Sequence, residues 1–147
     1  LAHVWNKFVL NCGINAISAV TGLRLGEIAR TPPVDELQTR IVEEVLAVVR
    51  AKGVPMIDRD PMRTIKDHCW KKYNKPSTLQ HVEQGKRTEI DALNGALVRE
   101  ARRLGVPTPY NDALTLILKG LETHRAQTVR GPAIDYDRLE AEAAKDH

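Results

Sequence analysis

Val4-Trp5-Asn6-Lys7-Phe8-Val9-Leu10-Asn11-Cys12-Gly13-Ile14-Asn15-Ala16-Ile17-Ser18-Ala19-Val20 is the stretch on which the reading of the whole chain turns. Its apolar residues point in nearly every direction around a helix, the pattern of a helix enclosed by other helices. Lys7, Asn11 and Asn15 interrupt it at intervals of four, and that spacing lines them up along one stripe. With a rise of about 1.5 Å per residue, Asn11 lies about 6 Å and Asn15 about 12 Å along the axis from Lys7, the reach of a small polar molecule. Burying such groups unpaired costs on the order of a few kcal/mol each. The stripe therefore needs polar partners elsewhere in the fold, or a ligand in a cleft that the helix lines.

Composition agrees with an all-α protein. A chain of 147 residues is read as one domain, long enough to bury a core. Its hydrophobic content of 42% and charged content of 28% are those of a soluble globular protein. Aromatic residues are only 4%, which leaves Leu, Val, Ile and Ala to fill the core and suits packed helices better than sheets. The net charge of +3 is mild and the basic residues are interleaved with acids, so nucleic acid is not an expected partner. Two cysteines, Cys12 and Cys69, both inside helical patterns, do not make a secreted disulfide framework. The expected setting is cytoplasmic, with neither an export leader nor a membrane-spanning run. Because the chain opens at Leu1 without a methionine, it is read as a piece of a longer protein.

The order of helices follows from periodicity and punctuation. Thr21-Gly22 ends the first helix, and a loop through Gly26, Thr31, Pro32 and Pro33 leads to a second with Leu37, Ile41, Val45, Val48 and Val49 on its apolar face. Gly53 followed by Pro55 stops it. Asp60-Pro61 caps a third helix, whose face is Met62, Ile65, Cys69 and Tyr73. Ser77-Thr78-Leu79-Gln80 reads as a capping box opening a short fourth. Thr88 reads as the N-cap of a fifth, running through Ile90, Leu93, Leu97, Val98, Ala101 and Leu104 to Gly105. Thr108-Pro109 starts a sixth that runs toward Gly131-Pro132, and a charged helix from about Asp135 to Lys145 follows with little to bury. The expectation is a bundle of six to seven helices without strands.

Common site chemistry is mostly missing. There is no G-x-G-x-x-G, so no dinucleotide fold is expected within the chain, and Gly85-Lys86-Arg87 lacks the rest of a phosphate loop. His68, Cys69 and His81 do not fall at zinc-ligand spacings, and no metal is expected. What remains is the stripe. Lys7 can be read as a lysine whose stem lies on the core with its amine in water, and Asn11 and Asn15 as hydrogen-bond partners of a neighbouring helix. Ser77 has sufficient use as an N-cap, and Glu89, in the first turn after Thr88, as a favourable charge at a helix start. Two helix starts close together beside Asn74 would also suit an anionic ligand.

The combination Lys7-x-x-x-Asn11-x-x-x-Asn15, Pro76-Ser77-Thr78-Leu79-Gln80 and Thr88-Glu89-Ile90-Asp91-Ala92-Leu93-Asn94-Gly95, continued by Gly105-Val106-Pro107-Thr108-Pro109, resembles the C-terminal domain of the 2-dehydropantoate 2-reductase (ketopantoate reductase) family. The resemblance runs from about Trp5 to Leu121. It implies a helical substrate domain over residues 1–131, similar to the 6-phosphogluconate dehydrogenase C-terminal fold, with a helical or disordered tail at 132–147. It also implies an N-terminal Rossmann domain, absent from this chain, that binds most of the NADPH.

Carried over by position, the resemblance makes Lys7 the catalytic lysine. It makes Asn11, Asn15, Asn74 and Ser77 substrate-binding residues, and Glu89 a catalytic carboxylate on the cofactor and lysine side. The implied reaction is reduction of a small 2-oxo acid, 2-dehydropantoate, in the route to pantothenate and coenzyme A, with a homodimer compatible with the family and the isolated domain inactive. One substrate-side asparagine of some members has no counterpart in Gly22-Leu23-Arg24-Leu25-Gly26, which leaves room for a related 2-oxo acid. The reading from a different class is a non-catalytic helical dimerisation module.

Overall fold

Ala2–Thr21 form one continuous helix, α1, on which several later helices pack. The computed structural model describes residues 2–145. Among them follow α2 (Leu25–Arg30), α3 (Pro32–Lys52), α4 (Pro61–Lys71), α5 (Ser77–Glu83), a 3-10 turn (Ile90–Ala92), α6 (Asn94–Leu104), α7 (Pro109–Arg130) and α8 (Tyr136–Lys145). The described residues contain no strand, and α1 packs on α3, α5, α7 and α4. The all-α expectation holds, with eight α-helices among the described residues in place of six or seven.

The apolar side chains form two clusters, and α1 belongs to both. Val9, Cys12 and Ile14 join Val42, Val45, Val48 and Val49 of α3, with Ile65 of α4 and Leu97 of α6. One turn on, Ala16, Ile17 and Ala19 join Ile28, Ile41, Val82, Ile90, Leu114 and Leu118. Gly13 sits where α1 meets α3, since a β-carbon there would lie 2.8 Å from Val42 Cγ2. Gly53 closes α3 with φ +75°, as its place after the last periodic residue predicts.

Two buried amides brace α1 from outside. Asn94 Nδ2 donates to the Cys12 carbonyl at 3.1 Å and to Asn111 Oδ1 at 2.9 Å. Gln38 Nε2 donates to the Gly13 carbonyl at 2.9 Å. Asn111 Nδ2 passes the chain on to Ile41 O and to Glu44 Oε1. The same Glu44 carboxylate accepts from the backbone N–H groups of Tyr110 and Asn111, capping the start of α7 from across the bundle.

Four local expectations need correction. The stretch through Gly26 is helical, not a loop. Glu27 Oε1 accepts from Arg24 N at 2.9 Å, and Arg30 ties α2 to α4 by donating to Trp70 O at 3.0 Å. Ser77 is not an N-cap: extended Pro76 holds that place, so Ser77 is the first helical residue and Gln80 bonds the Lys75 carbonyl instead. Thr88 is not an N-cap of a continuous fifth helix either; Glu89 precedes the 3-10 turn, and Leu93, with φ −111° and ψ −102°, separates that turn from α6. The third helix ends at Lys71, before Tyr73. The cap at Asp60 is as expected, accepting from Arg63 N, and Asp135 Oδ1 accepts from Arg138 N at the start of α8. No residue of α8 is buried.

Candidate functional site

On α1, burial sets the polar stripe apart from the core face. Val9, Cys12, Ile14, Ala16 and Ile17 are each at most 4% exposed, whereas Lys7 is exposed and Asn11 and Asn15 are partly so. Among the described residues, the side chains of Lys7, Asn11 and Asn15 have no hydrogen-bond or ion-pair partner. The hydrogen bonds from a neighbouring helix that the sequence suggested for Asn11 and Asn15 are made instead by Asn94 and Gln38, to backbone carbonyls of residues 12 and 13. The fold uses those two amides internally and leaves the stripe facing outward.

The remaining three positions lie on segments held from a distance. Ser77 opens α5, which packs along α1, and its hydroxyl is exposed with no partner among the described residues. Asn74 lies between α4 and α5, next to a residue held from the α2 region: Arg24, just before α2, donates from Nη1 to Tyr73 O at 3.2 Å, and the Arg30 guanidinium lies 4.9 Å from the centre of the Tyr73 ring. Glu89 follows Thr88, whose backbone N–H and hydroxyl both donate to Glu122 Oε2, at 2.9 and 2.8 Å. Its own side chain is exposed and, among the described residues, unpaired.

The six residues do not share one cavity. Lys7 lines a cavity of about 270 Å³ with Asn6, Leu10, Met56, Asp58 and Thr64. Within it the Asn6 Oδ1 is buried without a partner, and the Asp58 carboxylate accepts from Asp60 N at 2.9 Å and from Thr64 Oγ1. Asn74 lines a separate, open cavity of about 620 Å³ with Arg24, Lys75 and Gln80. Neither is lined by Asn11, Asn15, Ser77 or Glu89. Asp58, Asn6 and Arg24 are thus neighbours that the sequence reading did not single out. No periodicity marks Asp58, which lies in the connection between α3 and α4.

The two cysteines belong to the core, and His68 is partly buried. Burial pushes the Cys12 thiol far above its ordinary range, and raises that of Cys69 despite the hydrogen bond it accepts from Gln38. Burial, helped by the nearby Lys72 charge, lowers His68. Among the described residues no group of three or more His, Cys, Asp or Glu is placed to hold a metal ion, and no helix is long and apolar enough to cross a membrane.

Residues 1–122 match the family described as "Ketopantoate reductase PanE/ApbA C terminal". The chain is 35% identical over 119 residues to the 2-dehydropantoate 2-reductase of Pyrobaculum aerophilum, covering 81% of this chain and 43% of that protein. Among solved structures, the PanE/ApbA family ketopantoate reductase from Ralstonia eutropha aligns with a TM-score of 0.80 at 37% identity, over 84% of this chain and 42% of that one. A D-mandelate dehydrogenase solved with NADH and anilino(oxo)acetate shares the fold at a TM-score of 0.72 and 24% identity, over 83% of this chain and 41% of that one. The chain thus spans about two-fifths of the length of the relatives it matches.

Proposed function

The chain belongs to the ketopantoate reductase family, matching its C-terminal domain, and on that premise we propose that it is the substrate-side half of an NADPH-dependent reductase of 2-dehydropantoate. In this reading residues 1–131 form the substrate domain and 132–147 a tail that carries α8 (Tyr136–Lys145). An N-terminal Rossmann domain in the full-length protein completes the cleft. The described residues contain no strand for a dinucleotide-binding sheet, and Glu89, exposed and without a partner among them, is a group free to meet a cofactor held by that domain. When bound, NADPH supplies the hydride that the keto carbon receives.

The roles follow from chemistry at each atom. As the carbonyl of a 2-oxo acid is reduced, negative charge grows on its oxygen, and the Lys7 ammonium donates a hydrogen bond and then a proton to it. Asn11 and Asn15, one and two turns further along α1, hold the hydroxyl and carboxylate of the substrate, and Ser77 and Asn74 close the other side. Glu89 is assigned to the cofactor and lysine side of the cleft.

The observation that carries this reading is the division among amides. Gln38, Asn94 and Asn111 are fully buried and bonded to backbone or to one another, while the evenly spaced Lys7, Asn11 and Asn15 face outward with no partner among the described residues. The test is made in the full-length protein with NADPH and 2-dehydropantoate. Lys7→Ala is expected to leave the melting temperature unchanged and lower kcat by about 10²- to 10⁴-fold, the usual worth of a positioned acid; turnover near that of the parent would end this assignment. A related 2-oxo acid as substrate is the second reading, favoured by Arg24 occupying the region where some members carry an asparagine and lining the cavity of Asn74. A panel of 2-oxo acids in the same assay decides between them.

A further inference from the structure

The segment from Gly85 to Asp91 lies along α7 like a strap, and it is fastened at successive turns. Gly85 backs onto Arg125 and Val129, and a β-carbon added to it would lie 3.3 Å from Arg125 O. Thr88 meets Glu122, Ile90 is buried in the cluster with Leu114 and Leu118, and the Asp91 carboxylate pairs with Lys119 Nζ at 2.9 Å.

Of these fastenings, the one at Glu122 is the most specific. The side chain comes from a residue only 9% exposed, and a single oxygen, Oε2, accepts both donors of Thr88. The Thr88 hydroxyl in turn accepts from Ile90 N at 3.3 Å. Glu122 therefore holds the residue before Glu89 directly and the residue after it through one hydroxyl. The Glu89 carbonyl is fixed as well, accepting from Ala92 N and Leu93 N at 2.9 and 3.1 Å. The backbone of Glu89 is thus held on both sides while its carboxylate points outward, free of any partner among the described residues.

We propose that Glu122 is the positioning residue for Glu89, acting through Thr88. The inference rests on the reading of Glu89 as a working carboxylate of the cleft. Glu122 touches neither substrate nor cofactor; it sets the direction from which Glu89 approaches the reacting centre.

The experiment is a double-mutant cycle in the full-length protein with NADPH and 2-dehydropantoate, with kcat, KM and melting temperature read for every variant. Glu122→Ala and Thr88→Val are each expected to lower kcat by about 10-fold, the scale of a small misplacement of a reacting group, with KM for the 2-oxo acid within about two-fold because Asn11, Asn15 and Ser77 are untouched. Glu122→Gln, which keeps an acceptor oxygen, and Thr88→Ser, which keeps the hydroxyl, recover most of the loss. In a Glu89→Ala background, Glu122→Ala and Thr88→Val are expected to have no further effect on kcat. If Glu89→Ala is impaired but either second change multiplies that loss, or if Glu122→Ala and Thr88→Val match the parent, the positioning role is overturned while the reading of Glu89 stands. If Glu89→Ala itself turns over like the parent, the reading of Glu89 falls and the positioning role falls with it. Thr88→Val keeps shape and volume, so it decides the matter even where Glu122→Ala does not fold.

Discussion

Replacing Asn94 with alanine tests whether the buried amide chain is what secures α1. In the parent, Asn94 is fully buried, and its Nδ2 gives one hydrogen bond to the Cys12 carbonyl and one to Asn111 Oδ1. Losing two neutral hydrogen bonds costs about 2 kcal/mol together, and stranding Asn111 Oδ1 in the core adds about 1–2 kcal/mol. The Cys12 carbonyl loses less, since it keeps its place in the α1 ladder. Against this, Asn94 Oδ1 is itself buried without a partner, and its removal relieves about 1 kcal/mol. The net expectation is a destabilisation of about 2–3 kcal/mol, which for a chain of this size lowers the melting temperature by roughly 6–9 °C. Urea unfolding followed by helical circular dichroism should show the midpoint fall by about 1 M or more with an unchanged slope. Asn111→Ala supplies the second arm: because the two amides share a bond, the double variant should lose less than the sum of the singles. A loss below about 0.5 kcal/mol for Asn94→Ala, or strict additivity with Asn111→Ala, would refute the reasoning.

Two further outcomes follow from other parts of the fold. Gly120 lies mid-helix in α7 with nothing within 4 Å of where a β-carbon would stand, so Gly120→Ala should stabilise the chain by about 0.5–1 kcal/mol, read as a rise in melting temperature. The Glu100 carboxyl, hydrogen-bonded by Arg103 and Lys52, is pulled from 4.5 to about 2. Being depressed in the folded chain, it contributes stability that is complete above the ordinary carboxylate range and lost as pH falls toward 2. The stability difference between the parent and Glu100→Gln should therefore shrink between pH 5 and pH 2, and shrink too with added salt because the partner Arg103 side chain is exposed and that of Glu100 is partly so; a constant difference across that range would contradict the pairing.

The long helices were legible because their signals are local. The apolar spacing of Leu37, Ile41, Val45, Val48 and Val49, closed by Gly53, needs no knowledge of what packs on it. Helix α2 was not legible, because six residues with a glycine in the first turn carry too little periodicity, and its anchors, the Trp70 and Tyr73 carbonyls, lie forty or more residues away. The break at Leu93 was hidden for a related reason. Ile90, Leu93 and Leu97 keep helical spacing across it, while one tie that sets the preceding turn, Glu122 on Thr88, spans 34 residues. In the candidate site, the four-residue spacing shows that Lys7, Asn11 and Asn15 share a stripe. Ser77 and Glu89 each have an adequate local use at a helix start; the nearness of those two starts hinted at an anionic ligand, and the family resemblance gave them their roles. Asp58 and Asn6 carried no signal at all, because what makes them neighbours of Lys7 is the path of the chain between α3 and α4.

Because α1 contributes side chains to both apolar clusters, it cannot slide or turn without disturbing the whole interior. Lys7, Asn11 and Asn15 are therefore graduations on a rigid ruler. A molecule laid along it is measured against a fixed length, so misfits are rejected by geometry instead of being accommodated by a moving wall. Little ordering entropy is lost on the protein's side of that encounter. Whatever closes over the ruler has to bring the motion with it.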